Sequence, residues 1–239
     1  MAVASAEPLA VTAIMGTINE APNLRLLLPI LRLVVREIVI VDDGSTDASV
    51  AVARAHGAIV LERPRRLGIG TVVYTAVARA SMPVIVTMDA DMSHPPAVLP
   101  PAVHLLAAGY DIVRFSRFLV GSTWDTSPLR RRALRLFAAA LRTACRFPLT
   151  DPTNGFMVAR RECFAGPTRF TADPGEGWVA EFLARNRRRP MIELPYHHAP
   201  RAHGHSHNST WREIQRAGRS LALGVRASPM RPADLPTER

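Results

Sequence analysis

Along the first hundred residues, short apolar runs alternate with stretches in which apolar side chains recur at helical spacing. The runs are LAVTAIM (9–15), EIVIV (37–41), AIVLE (58–62) and PVIVTM (83–88), and the helical stretches between them span 23–34, 47–56 and 68–81. Continuous apolar runs predict strands buried on both faces, and the intervening helices are the crossovers that parallel strands require. The expected fold is an α/β domain with a mainly parallel central sheet flanked by helices. Ligands of such sheets sit beyond the carboxyl ends of the strands. Polar clusters follow three of the runs at that end, Thr17-Ile18-Asn19-Glu20, Asp42-Asp43-Gly44-Ser45 and Asp89-Ala90-Asp91, so one mouth is expected to collect them.

From about residue 110 the pattern becomes mixed, with a strand expected at 111–116, a long helix at 129–146 and a strand at 155–160. A flexible N-terminus (1–9) precedes one domain (10–226), whose first half (10–109) is expected to hold the ligand of the sheet mouth and whose second half (110–226) a co-substrate. The Pro-rich tail (227–239) is expected to be disordered. At 100° per residue, Arg131, Arg135, Arg142 and Arg146 fall within about 60° of one another. Leu129, Ala133, Leu136, Phe137, Ala140 and Ala144 gather opposite, which predicts a basic amphipathic helix with its apolar face inward. Arg212, Arg216 and Arg219 offer a second such face within 210–225. An all-arginine face repels itself unless an anionic surface neutralises it.

Composition sharpens this picture. Thirty Lys plus Arg against twenty Asp plus Glu give a net charge of +10, which favours anionic partners. Nucleic acid is not the expected one, because basic and aromatic residues do not interleave and the acidic clusters would have no purpose. The two cysteines, Cys145 and Cys163, have no metal or disulfide spacing, so a reducing compartment is expected. No apolar run reaches the roughly 18 to 20 residues that cross a bilayer. The expected location is the cytoplasm, with a peripheral position on the cytoplasmic face of a membrane.

The chemistry lies in three motifs. Asp89 and Asp91 leave a buried strand one residue apart and can hold a hard divalent cation, Mg2+ or Mn2+, with coordination positions left for a diphosphate. Asp42 and Asp43 exceed what capping the next helix requires, and a carboxylate there can accept hydrogen bonds from a nucleobase or ribose. Arg63-Pro64-Arg65-Arg66-Leu67-Gly68-Ile69-Gly70 places fixed positive charge and glycines before a helix N-terminus, which suits a diphosphate. His203, His205 and His207 alternate around Gly204 and offer either a further metal ligand or a polar loop.

Together these stretches resemble a known family. Thr17 to Leu24 (TINEAPNL), Val41 to Asp47 (VDDGSTD), the Arg-x-x-Arg-Leu-Gly-x-Gly-Thr run and Met88 to Pro95 (MDADMSHP) resemble the family 2 glycosyltransferases of GT-A, Rossmann-like fold. The form MDADMSHP looks most like polyprenyl-phosphate (dolichyl-phosphate) mannose synthases. The resemblance continues through Ser116-Arg117-Phe118, Leu129-Arg130-Arg131, Asp151-Pro152-Thr153-Asn154-Gly155-Phe156, Glu193-Leu194-Pro195 and Arg201-x-x-Gly204, and so covers residues 10–225.

It implies a metal-dependent inverting transfer of a sugar, with GDP-mannose the favoured nucleotide-sugar donor and polyprenyl phosphate the acceptor; the alternative is a small natural-product acceptor. Carried over by position, it places Asp89, Ala90 and Asp91 on metal and donor diphosphate, and Thr17, Asn19, Glu20, Asp42 and Asp43 near the nucleoside. Arg63, Arg66, Gly68 and Gly70 belong to the same donor site, while Arg117, Arg131 and Arg201 face phosphates. An alcohol acceptor would need a base, for which Asp151 is the candidate. The sequence departs from the family pattern at Gly16, Ile18, Phe115, Asn154, Met157 and His207, chiefly on the acceptor side.

Overall fold

The computed structural model describes residues 7–145, 149–165 and 177–204. Among the described residues, six α-helices and nine strands follow one another in the order β1 (Leu9–Thr17), α1 (Ala21–Arg32), β2 (Val35–Asp42), α2 (Ser49–Ala55), β3 (Ile59–Glu62), α3 (Ile69–Arg79), β4 (Val84–Thr87), α4 (Leu99–Ala107), β5 (Ile112–Ser116), β6 (Thr123–Trp124), α5 (Pro128–Cys145), β7 (Met157–Arg160), α6 (Gly177–Arg185), β8 (Met191–Pro195) and β9 (His197–His198). The main sheet runs β3-β2-β1-β4-β7-β5-β8, and β6 pairs β9 in a small second sheet.

The helical crossovers set the topology. β1, β2, β3 and β4 are parallel, as their short βα connections require. The sheet is not parallel throughout, because β7 runs antiparallel between β4 and β5.

Alternation along the strands splits the core in two. Ala13, Met15, Ile38 and Ile40 pack with Leu24, Leu27, Leu28 and Leu31 of α1 and with Leu99, Ala102 and Leu106 of α4. Ile14, Val39 and Val41 point the other way, onto Val72, Val73 and Ala76 of α3 and Val179, Phe182 and Leu183 of α6. Burial on both faces is why these strands read as uninterrupted apolar runs. Each fully buried leucine of α1 contributes about 1.5–3 kcal/mol by area, and truncation to alanine would cost about 2–5 kcal/mol once the cavity is included.

The helix α5 corrects the expected orientation. Its inward stripe is Leu134, Ala138 and Leu141, whereas Leu129 and Leu136 are 80% and 65% exposed. The apolar face inferred from helical periodicity is therefore turned partly outward, beside the exposed Arg132, Arg135 and Arg142. Alanines at 133, 138, 139 and 140 blur the stripe enough for a simple wheel to choose the wrong seam. Arg146, the 210–225 segment, His205, His207 and the tail lie outside the described residues.

Candidate functional site

The carboxyl ends of β1, β2 and β4 lie side by side, since Thr17 pairs with Asp42 and Ile14 with Thr87 across parallel ladders. The three polar clusters therefore meet as expected, but they play different parts. Beyond β2, Asp42 is buried; its Oδ1 accepts the backbone N–H of Gly44 (3.1 Å) and Ser45 (2.8 Å), and its Oδ2 accepts the hydroxyls of Thr17 (3.1 Å) and Ser45. Asn19, in the left-handed region at φ 54°, accepts the N–H of Thr46 (2.8 Å) through its Oδ1. These side chains stitch the β1 and β2 loops together. A carboxylate with both oxygens engaged in this way serves the framework of the site, and Asp42 would have to release one of these donors to accept a nucleoside.

Arg63 is likewise tied into the framework. It is 9% exposed, and its guanidinium donates to Asp43 (3.2 Å), to the Thr71 hydroxyl (2.9 Å) and to the Thr71 carbonyl (2.7 Å). It braces α3 against the β2 loop instead of facing a diphosphate. Burial raises the Asp43 carboxyl above its ordinary range, more than the neighbouring Arg63 lowers it. Arg66 is exposed beside this loop. Gly68 takes φ 95° as the residue before α3, a conformation in which a side chain would be strained, and Gly70 is buried in the first turn.

Beyond β4 the second acidic pair borders a cavity of about 380 Å³, whose walls include Ile69 and Val72 of α3, Leu134 and Phe137 of α5, and Trp178 of α6. The Asp89 side chain is 61% exposed and that of Asp91 12%, while Ala90 turns into the core. Met92 adopts φ 72° and folds the chain back, so that Ser93 donates its N–H (3.0 Å) and hydroxyl (2.6 Å) to Asp91 Oδ1. Arg201 reaches Asp91 Oδ2 at 3.2 Å and also holds Glu20. Burial alone would raise the Asp91 carboxyl; the Ser93 hydroxyl and Arg201 outweigh it and hold it below the usual carboxylate range. Asn23 exchanges two hydrogen bonds with the His203 backbone (2.9 and 3.1 Å), which straps the Arg201 segment to α1.

His94 was legible as part of the MDADMSHP run, but its task was not. Its Nδ1 accepts the Asp89 N–H at 2.9 Å, its ring stacks on Phe156 at 4.4 Å, and burial pushes its pKa down to about 3. A neutral imidazole thus fixes the backbone of the more exposed carboxylate. His198 on β9 also lines the cavity, and burial together with Arg117 pushes it down to about 4.

The same cavity is also lined by arginines. Arg117 and Arg130 both line the cavity, with guanidinium carbons 4.9 and 5.8 Å from the Trp124 ring centroid. Contact with an aromatic face orients such groups without neutralising them. Asp151 lies behind this wall and is not part of the lining. It is fully buried and accepts a two-pronged hydrogen bond from Arg117 (2.7 and 3.0 Å). Burial would raise the Asp151 carboxyl, but Arg117 and Thr153 hold it below the usual range. That makes it a poor base and a firm anchor for Arg117, contrary to the base role considered from sequence. The loop that carries it is built by Glu193, which accepts the N–H of Thr150 and Asp151, and by buried Arg114, which donates to the carbonyls of Asp151 and Asn154.

Arg131 is likewise redirected. It donates to the Trp124 carbonyl and lines a separate hollow on the outer side of α5, leaving Arg130 as the arginine of that pair in the cavity. One residue of helix turns a side chain by about 100°, so a pattern of consecutive arginines cannot by itself say which one faces inward. Phe115 and Met157, two of the departures from the family pattern, are fully buried in the core; Asn154 alone of that trio borders the cavity.

Hard-oxygen donors at a strand end suit a divalent cation, and the exposed Asp89 with the more buried Asp91 are the residues that would hold one. Among the described residues no group of three or more His, Cys, Asp or Glu is gathered that could hold a metal ion. An α/β sheet with carboxylates and arginines lining one cavity at its mouth agrees with the GT-A fold expected from the sequence. The chain belongs to glycosyl transferase family 2, whose model matches residues 12–165.

It is 28% identical over 208 residues to a dolichol-phosphate mannosyltransferase of Pyrococcus furiosus, covering 82% of this chain and 58% of that one. It is 33% identical over 200 residues to an uncharacterized glycosyltransferase of Mycobacterium tuberculosis, covering 82% of this chain and 88% of the relative. Glucosyl-3-phosphoglycerate synthase of Mycobacterium tuberculosis, crystallised with Mn2+, UDP and glucosyl-3-phosphoglycerate, superposes with a TM-score of 0.68 at 21% identity, over 89% of this chain and 78% of that one. At that identity the superposition establishes the fold.

Proposed function

We propose that this protein transfers a hexose, with inversion, from a nucleoside diphosphate sugar to a polyprenyl phosphate at an anionic membrane surface, GDP-mannose being the favoured donor. The observation that carries the reading is that Asp89 and Asp91 line the same cavity as Arg117 and Arg130. A cation on the carboxylates would neutralise charge gathering on the departing diphosphate. Arg117, fixed by Asp151 and Trp124, and Arg130, set against the same indole, would orient the acceptor phosphate toward the anomeric carbon. A phosphate monoester is already ionised near neutral pH, so its oxygen attacks without a base. That agrees with a cationic wall from which Asp151 is withdrawn into a salt bridge. Arg201, between Glu20 and Asp91, would turn from those carboxylates to the donor diphosphate as cation and donor arrive.

The Pyrococcus relative bears the name of a dolichol-phosphate mannosyltransferase, which supports both the lipid phosphate and mannose, although the chain spans only 58% of its length. The test is a product assay. Purified protein with Mn2+ or Mg2+ is offered GDP-mannose or UDP-glucose and either polyprenyl phosphate or a small phosphorylated acceptor. The expected product is glycosylated polyprenyl phosphate with inverted anomeric configuration. Glycosylation of the small acceptor alone would replace the lipid reading with the soluble one.

A further inference from the structure

The two sides of α5 face different surroundings. Arg130, Leu134, Phe137 and Leu141 border the catalytic cavity, whereas Pro128, Arg131, Arg132, Arg135 and Leu136 surround a separate, open hollow of about 370 Å³. None of the three arginines of that hollow makes an ion pair among the described residues. Two of them are nevertheless held in place. Arg131 donates to the Trp124 carbonyl and Arg135 lies 5.6 Å from the Phe118 ring centroid. The Arg131 Nε is buried with no hydrogen-bond partner, which leaves a donor in a place where an unmet hydrogen bond is costly. Guanidiniums so close together repel unless an anion joins them.

From this we infer that the hollow is a binding site for the phosphate headgroup of an anionic membrane phospholipid, distinct from the catalytic cavity. Leu129 and Leu136, 80% and 65% exposed, select the lipid over a free phosphate or a nucleic-acid backbone. Leucines set in solvent beside arginines match the apolar-and-basic face of a helix lying in a bilayer interface. The helix would then rest one flank on the membrane while its other flank lines the cavity, so that the cavity opens beside the surface from which a polyprenyl phosphate would be drawn. The inference rests on the lipid-acceptor reading for its purpose, but the site itself can be tested without it.

The experiment is sedimentation of the full chain with vesicles of phosphatidylcholine, or of phosphatidylcholine with roughly one third phosphatidylglycerol, at low salt. Wild-type protein is expected to pellet with the anionic vesicles and not with the neutral ones. The double variant Arg132→Gln/Arg135→Gln should lose about thirtyfold in partitioning, as two charges near such a surface imply. Leu129→Ser/Leu136→Ser should also weaken partitioning with every arginine intact. Arg25→Gln/Arg79→Gln, which removes the same charge from exposed positions elsewhere, should change it little.

Unaltered thermal melting and nucleoside diphosphate binding by the variants would show that fold and cavity are intact. Equal losses for the two arginine pairs, indifference to the leucines, or equal binding to neutral and anionic vesicles would each overturn the site. A water-soluble short-chain polyprenyl phosphate offered without vesicles separates the two claims. Its transfer should survive Arg132→Gln/Arg135→Gln. If wild-type protein leaves it unglycosylated while the vesicle results hold, the acceptor reading fails and the headgroup site stands.

Discussion

Two pairs of acidic residues leave this sheet at strands that both flank β1, and they have opposite fates. Asp42 is consumed by the loop it begins, with four hydrogen bonds to both of its oxygens, and Asp43 closes on Arg63. Asp89 stands 61% exposed at the rim of a cavity, and Asp91 is held from one side by Ser93 and from the other by Arg201. The residue types and the strand-end position are the same in both pairs. What differs is the chain that follows. Gly44-Ser45 curls back to offer donors to both oxygens of Asp42, whereas Ser93 engages only Oδ1 of Asp91, whose Oδ2 meets Arg201, and Asp89 stays exposed. How far an acidic pair at a sheet mouth is tied into the framework thus depends on how many of its oxygens its own loop engages.

The largest expected effect separates the pairs directly. Asp89→Ala should lower sugar transfer by at least about 10²–10³-fold, the scale of losing transition-state charge stabilisation, with thermal melting close to wild type because the side chain is largely exposed. Undiminished turnover would remove Asp89 from the chemistry. Next in size is Asp151→Asn, which breaks a buried two-pronged pair with Arg117 and should cost about 3–5 kcal/mol of stability in urea unfolding. A variant of wild-type stability that failed only with neutral acceptors would restore the base role.

Asp42→Ala should leave several donors of the β1 and β2 loops without an acceptor and cost about 1–3 kcal/mol. If it instead weakened nucleoside diphosphate binding with no loss of stability, the first pair would be a ligand after all. Around the second pair, a smaller effect concerns pH. The folded-state pKa of His198, pushed down to about 4, lies below the ordinary value of 6.5, so its contribution to stability is complete above 6.5 and is lost as pH falls toward 4. Between pH 7 and 5 the loss should be about 1–2 kcal/mol, and His198→Asn should flatten the slope of unfolding free energy against pH by that amount. Equal slopes in wild type and variant would show that His198 is not held neutral.

Much of this was legible in the sequence because local rules dominate the first half. Strand-helix alternation in the first ninety residues corresponds to β1 through β4, and the three polar clusters do converge at one end of the sheet. The antiparallel β7 could not be read, since the run around Met157–Arg160 is apolar whichever way it travels. Nor could a pattern of neighbouring arginines tell Arg130 from Arg131, because the contacts that decide it come from Trp124, which precedes the helix on another element. Asp151 illustrates the same limit. A carboxylate before a Pro-Thr-Asn turn looks available until β5 and β8 bury it against Arg117. His94 and His198 owe their neutrality to an aromatic cluster assembled from β5, β7 and β9 and the segments beside them.

The contrast between the two acidic pairs reduces to one binding measurement. Titration calorimetry of GDP and UDP, each with Mn2+ and with chelator, compares wild type with Asp89→Asn and Asp42→Asn. For whichever nucleotide binds, Asp89→Asn is expected to abolish the Mn2+-dependent gain in affinity at wild-type folded content, and Asp42→Asn to retain that gain while melting at a lower temperature. An Mn2+-dependent gain that survives Asp89→Asn and disappears with Asp42→Asn would contradict the account, because the first pair, not the second, would then hold the donor.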